Sequence, residues 1–196
     1  FALSTGKGPS GIAILRLSGK DRLQISKLIT KKNQIKSKEV NLCKFYDPSN
    51  GKMIDDGLLL WSPGPNSYTG EDLAEFHTHG SNAVVSHFLK VLGDQENCRL
   101  AEPGEFTKIA FYNNKMDLIK AESIGDLIHA ETELQRQQAI KLIQGNASNH
   151  YNSLREKLVK SLSYIEAKID FAEDDLPENV LKEVQASIKH VHKDIK

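Results

Sequence analysis

The chain has little cysteine, no surplus charge and no long apolar run. Cys43 and Cys98 are its only two cysteines, 55 residues apart. They make no metal or redox motif, so a disulfide-stapled scaffold is excluded and both read as reduced thiols. Lysine and arginine number 26, aspartate and glutamate 26, so the formal net charge is zero. No global field therefore marks the chain as a nucleic-acid binder. No apolar stretch approaches the ~20 residues that span a bilayer. What is present is enough length for a real core: 196 residues suit one or two domains. A chain beginning at Phe1 rather than Met reads as a fragment or a processed form.

The first half mixes strand and helix signals. Gly11-Ile-Ala-Ile-Leu-Arg-Leu17 is short, apolar and bounded by glycines, as a buried strand is. Asp21 to Thr30 carries Leu23, Ile25, Leu28 and Ile29 at the spacing of a short amphipathic helix. The lysine-rich stretch Lys31 to Glu39 reads as a loop. Val40 to Tyr46 and Met53 to Trp61 read as strands joined by the turn Asp47-Pro-Ser-Asn-Gly51. Ala83 to Leu92 reads as a helix with Gly93 as its C-cap, and Glu102-Pro-Gly-Glu-Phe-Thr107 opens another with Pro103 near its first turn.

The second half changes character. From Asp117 to Ile169 there is no proline, and Gly125 and Gly145 are the only glycines. Ile124, Leu127, Ile128, Leu134, Ile140 and Ile143 recur near helical spacing, as do Leu154, Leu158, Leu162, Ile165 and Ile169. The pattern predicts two long helices broken near Gly145-Asn-Ala-Ser148. An acidic break at Phe171 to Glu178 and a last helix from about Val180 follow. The fold class is α+β: a mixed-sheet domain over residues 1–115, then long helices of an incomplete helical domain over 116–196. Short links between long helices predict a bundle or hairpin.

The densest signal runs from Ser62 to Gly80. Pro63, Gly64, Pro65, Asn66 and Gly70 make a rigid turn. An alternating strand follows, with Leu73, Glu75 and His77 on one side and Ala74, Phe76 and Thr78 on the other. Such a loop feeding such a strand either places polar groups in a pocket or simply joins two strands. Glu75, His77 and His79 share a face, which raises the question of zinc. No further cluster of histidine or cysteine adds ligands, so no metal site is assigned. His87, His129, His150, His190 and His192 read as ordinary helix residues.

Two motifs are decoys. Gly6-Lys-Gly-Pro-Ser-Gly11 matches G-x-G-x-x-G, but a strand rather than a helix N-terminus follows it. Asn114-Lys-Met-Asp117 matches the guanine-reading N-K-x-D, yet the G-x-x-x-x-G-K-[ST] phosphate cradle is absent from these residues. Charge on the long helices reads as a solvated face. Lys157, Lys160 and Lys168 alternate with Glu156 and Glu166, which argues against an autonomous RNA site.

Taken together, several segments carry a resemblance. They are Gly11-Ile-Ala-Ile-Leu-Arg-Leu-Ser-Gly19, Trp61-Ser-Pro-Gly-Pro-Asn-Ser-Tyr-Thr-Gly-Glu-Asp72, His79-Gly80, Pro103-Gly-Glu-Phe-Thr107 and Asn114-Lys-Met-Asp-Leu118. The chain resembles the N-terminal part of the tRNA-modification GTPases called MnmE or TrmE. The resemblance implies a tetrahydrofolate-binding-like domain that dimerises, then the start of a central helical domain. It implies that the GTPase domain, with its GTP, magnesium and potassium, and a C-terminal cysteine segment lie outside these residues. No catalytic residue is therefore assigned within them.

The resemblance further implies binding of 5-formyltetrahydrofolate, the source of a one-carbon unit for C5 of the wobble uridine in tRNA. An FAD-dependent protein acts as partner, and members are bacterial cytoplasmic or mitochondrial. The lysine- and asparagine-rich composition leans towards a yeast-like mitochondrial member. Three contacts carry over by motif: Arg16, Glu75 and Lys115. Their chemistry suits the ligand, since one carboxylate accepts two pterin N–H groups and cations pair a glutamate tail. A structural Arg16–Glu75 ion pair and a turn-capping Lys115 remain the alternative.

Overall fold

The computed structural model describes residues 1–170 and 180–195. The acidic stretch Phe171 to Glu178 lies outside the described residues. The chain divides into two compact units, Phe1–Met116 and Asp117–Lys196.

The first unit is a five-stranded sheet with helices. Its strands are β1 (Ala2–Leu3), β2 (Ser10–Ser18), β3 (Val40–Tyr46), β4 (Met53–Ser62) and β5 (Leu73–Gly80). Its helices are α1 (Arg22–Thr30), α2 (Asn82–Gly93) and α3 (Glu105–Tyr112). The strand order is β1-β2-β5-β4-β3, and every ladder in it is antiparallel. The parallel component of the expected mixed sheet is one isolated bridge, Ser37 to Trp61.

Alternation explains which way each strand faces. Leu15 and Leu17 of β2, Phe45 of β3, Leu59 and Trp61 of β4 and Phe76 of β5 are buried together with Ile29 of α1 and Phe88 and Leu92 of α2. Phe45, Phe76 and Phe88 meet with ring centroids 5.1 to 5.7 Å apart. Each such ring pair adds about 0.5–1.5 kcal/mol beyond its burial. The opposite phase of the same strands carries Arg16, Glu75 and His77, half-buried rather than buried.

The second unit contains α4 (Leu118–Ile128), α5 (Glu133–Ile143), α6 (Asn146–Asp170) and α7 (Val180–Ile195). The periodicity predicts one helix before Gly145, but there are two. The chain breaks at His129 to Thr132, where Thr132 and Gln135 form a reciprocal capping box that starts α5. The break at Gly145 is present, with Gly145 at φ 89. Leu154 and Ser161 of α6 and Val184 and Val191 of α7 are buried.

Two helix ends also differ from expectation. Gly93 is the last residue of α2, and Asp94 is its cap in right-handed geometry. Pro103 precedes α3 rather than sitting in its first turn; the N-cap is Gly104, at φ 75.

Candidate functional site

Register builds the centre of the site. Arg16 of β2 and Glu75 of β5 are directly opposed in the antiparallel ladder. The Arg16 Nε donates to Glu75 Oε1 at 2.9 Å, and Nη2 approaches the same oxygen at 2.7 Å. Side-chain exposures of 24% and 17% make this a sheltered pair, screened less than a surface one. The Arg16 guanidinium also lies 5.2 Å from the Tyr68 ring centroid and 5.4 Å from that of Phe106. Those are cation–π distances. Two aromatic rings from distant parts of the chain thus fix one cation beside one carboxylate.

The remaining oxygen of that carboxylate has capacity to spare. Among the described residues Glu75 Oε2 has no hydrogen bond, and His77 Nε2 lies 3.7 Å from it. His77 Nε2 is itself buried and without a hydrogen-bond partner among the described residues. A buried polar nitrogen left unmatched costs about 1–3 kcal/mol, so a water or a ligand group that bonded it would be favoured there.

The loop between β4 and β5 supplies Tyr68, and polar ties hold it in place. Gly64 N donates to Asp72 Oδ1 at 3.0 Å, and Ser67 Oγ donates to Glu71 O. Ser18 Oγ meets Thr69 Oγ1 at 2.8 Å and Glu71 Oε2 at 3.1 Å. Tyr68 Oη meets Thr107 Oγ1 of α3 at 2.9 Å. Two glycines are obligatory. A Cβ on Gly64 would meet Gly70 O at 2.8 Å, and one on Gly70, at φ 80, would meet Asn113 Cβ at 2.9 Å.

The turn after α3 grips the loop from outside. Asn113 Nδ2 donates to Thr69 O at 2.8 Å, and Lys115 Nζ donates to Pro65 O at 2.9 Å. Lys115 is exposed and pairs with the loop backbone, not with Glu75. The structure thus brings Arg16 and Glu75 together and places Lys115 on the loop that carries Tyr68. Asn114 takes a positive φ of 54, and Asp117 caps α4 by accepting from Lys120 N at 2.8 Å. The N-K-x-D tetrapeptide is therefore a turn and a helix cap here.

The start of α3, which positions Phe106, is locked by Glu105. Its carboxylate pairs with Arg99 and accepts from Glu102 N at 2.7 Å. The hydrogen bond from Arg99, then that from the backbone, push the Glu105 carboxyl down to about 2.

The histidine face does not gather zinc ligands. Glu75 Oε1 is taken by Arg16, and His79 turns to Asp55, with Nδ1 at 2.8 Å from Oδ1. Asp55, Asp56 and His79 do lie close enough together to share an ion, although acidic surface groups commonly lie so without one. Tyr68, Phe106 and Asn113 surround the pair and its loop without having been singled out in the sequence, whereas His77 stood out there only as a possible zinc ligand. The first three sit inside the quoted motifs or next to them, which is the signal that could have found them.

The chain is thus a five-stranded sheet domain with a glycine–proline loop over a clamped ion pair, followed in sequence by a helical unit. Residues 1–115 match the family model described as GTP-binding protein TrmE N-terminus, and residues 118–196 match the MnmE helical domain. The chain belongs to the TrmE/MnmE family. It is 53% identical over 196 residues to a tRNA modification GTPase MnmE of Pelagibacter ubique, covering all of this chain and 44% of that protein. It is 44% identical over 191 residues to the human mitochondrial 5-taurinomethyluridine-[tRNA] synthase subunit GTPB3, covering 96% of this chain and 39% of that one. A mitochondrial tRNA modification GTPase, gtpbp3, of Dictyostelium discoideum is 43% identical over 180 residues, with 89% and 35% covered. The chain therefore spans less than half the length of these relatives.

Proposed function

We propose that this chain is the folate-binding and dimerising part of a GTPase that modifies C5 of the wobble uridine in tRNA. In this reading the active species is a homodimer working with an FAD-dependent partner on tRNA. GTP, magnesium and potassium belong to a GTPase domain that these residues do not include. The observation that carries the folate assignment is the Arg16–Glu75 pair held between Tyr68 and Phe106, with Glu75 Oε2 and His77 Nε2 unmatched beside it.

The donor set fits a reduced folate. Glu75 offers a carboxylate oxygen to pterin N–H groups, while the Arg16 guanidinium orients it. The two rings add flat apolar surface of the sort a heterocycle stacks on. Lys115, exposed at the loop, is placed for an anionic glutamate tail. When bound, 5-formyltetrahydrofolate supplies the one-carbon unit. Relatives named as mitochondrial support a mitochondrial setting, and the bacterial ones support the cytoplasm of a bacterium as its alternative.

Calorimetric titration of the 196-residue chain with 5-formyltetrahydrofolate tests this, alongside Glu75→Ala. Saturable binding lost in the variant is the expected result. A second reading, an assembly module without a working pocket, draws on the same ion pair, which already satisfies one oxygen of Glu75. A folded, dimeric chain that takes up no folate would favour it.

A further inference from the structure

We infer that the free edge of the sheet at β3 is a cation track that binds the phosphate backbone of RNA. The choice of RNA among polyanions rests on the proposed tRNA substrate; the track itself rests on charge and geometry. The chain as a whole is neutral, but between Lys27 and Lys52 there are seven lysines against two carboxylates, Glu39 and Asp47. All of these residues lie in the sheet unit.

The fold lines several of these lysines along one edge. β3 is the last strand of the sheet, so among the described residues its outer side pairs with no other strand. At its start the preceding loop is pinned by Asn41, whose side chain accepts from Lys36 N at 3.0 Å and donates to Lys36 O at 2.9 Å. This brings Lys36 and Lys38 to that end. Midway, Lys32 Nζ donates to Leu42 O at 2.5 Å. Lys44 follows on the strand itself. At its end Lys31 Nζ lies 4.2 Å from the Tyr46 ring centroid and donates to Gly51 O at 3.3 Å, next to Lys52. Seven strand residues at about 3.3 Å each make a row roughly 20 Å long. Lys31, Lys32 and Lys44 line one shallow concavity of about 520 Å³ with Leu42 and Tyr46, and Asp56 is the one acidic residue in its lining.

Close ion pairs along the row are few, although Asp56 of β4 stands opposite Lys44 in the ladder. Among the described residues Lys36 alone of the seven has a carboxylate within 4.0 Å, that of Glu39 at 3.1 Å, while Asp47 is turned to His87. Lysines on an edge strand also discourage strand-to-strand pairing. That role accounts for Lys32, which covers the Leu42 carbonyl. It does not account for Lys38, Lys44 and Lys52, which are exposed and whose ammonium groups donate no hydrogen bond among the described residues. Ammonium groups in a row with few close carboxylates, beside an exposed aliphatic and a tyrosine ring, are what a phosphate backbone with splayed bases selects.

The test is fluorescence anisotropy of the 196-residue chain with a labelled tRNA transcript, from about 50 to about 200 mM salt. The track variant is Lys38→Gln/Lys44→Gln/Lys52→Gln, and the control is Lys157→Gln/Lys160→Gln/Lys168→Gln on α6. The track variant is expected to weaken binding about tenfold at low salt and to reduce the log–log salt slope by about 2, with the control within twofold of wild type. Equal losses in both variants, or no loss in the track variant, overturn the track while leaving an RNA partner in place. Binding to phosphatidylserine vesicles without binding to RNA overturns the choice of polyanion. A parallel folate titration on the track variant keeps the two readings apart, because folate uptake stays at the wild-type level when only the track is removed.

Discussion

The sheet unit and the helical unit spend their apolar residues differently. In the sheet unit Leu15, Ile29, Phe45, Leu59, Phe76, Phe88 and Leu92 are fully buried and touch one another. In the helical unit the buried positions among the described residues are fewer: Leu154, Val184 and Val191, with the small Ser123, Ala139, Ser148 and Ser161. Large aliphatic residues there stay open, with Ile128 at 74% and Leu134 at 75% exposure. The difference bears on where binding chemistry resides. Arg16 is held in place because Leu15 and Leu17 on either side of it are locked into a dense core. The helices offer no such frame for a polar cluster, and their charged pairs, such as Glu133 with Arg136, are exposed i,i+3 partners of small energetic weight.

The largest test of this contrast compares two truncations. Phe88→Ala removes a ring from the three-ring cluster and is expected to destabilise the sheet unit by about 3–5 kcal/mol. Leu154→Ala in α6 is expected to stay near about 2 kcal/mol, since a site with open neighbours can collapse around the gap. Trp61, the single tryptophan, is buried in the sheet core and reports that unit, while far-ultraviolet circular dichroism follows mainly the helices. Urea titrations read by both probes check the pair. Equal losses would break the contrast.

A middle-sized effect is expected at the capping box. Thr132→Ala removes the side-chain acceptor for Gln135 N and is expected to cost about 1 kcal/mol, while Thr132→Ser keeps the cap. The loss should appear in the circular dichroism transition and not in Trp61 fluorescence. A shift of both transitions would mean that the two units do not unfold separately.

The same capping box shows what could be read from the chain beforehand. The strands were legible because each has alternating or apolar residues between strong turn formers, as Asp47 to Gly51 is between β3 and β4. The break before α5 was not, because Ile128 and Leu134 continue the helical spacing and no glycine or proline interrupts it. Thr132 and Gln135 hold the T-x-x-Q signal, but the periodicity outweighed it. Within the site, Glu75 stood out by its place after a rigid loop. Its partner Arg16 is 59 residues away, and a pairing that depends on strand register has no local signature. The resemblance to a family joined the two. Nothing in the sequence told which aromatic rings would flank Arg16, because Tyr68 and Phe106 reach it from a loop and a helix that only the folded sheet brings together.

The smallest expected effect lies at the far end of β5, where charge is exposed rather than clamped. His79 is 68% exposed at the side chain, against 24% for Arg16. Its Nδ1 bonds Asp55 Oδ1, and its backbone N–H donates to Asp55 Oδ2 at 2.7 Å. The hydrogen bond to Asp55, then the charge of that carboxylate, raise the imidazole pKa above its usual 6.5. A raised folded-state pKa means that protonation favours the folded chain. The contribution is complete below pH 6.5, the unfolded value, and is lost as pH rises through the folded value. Because the ring is open to water, the change in stability should be slight, and the titration itself is the sharper reading. Nuclear magnetic resonance of the imidazole protons should give a midpoint above 6.5 in the wild type that falls back in Asp55→Asn. A His79 midpoint unaltered by Asp55→Asn would mean that the exposed pair contributes nothing measurable. The contrast between clamped and open charge along this one strand would then be sharper than the distances alone imply.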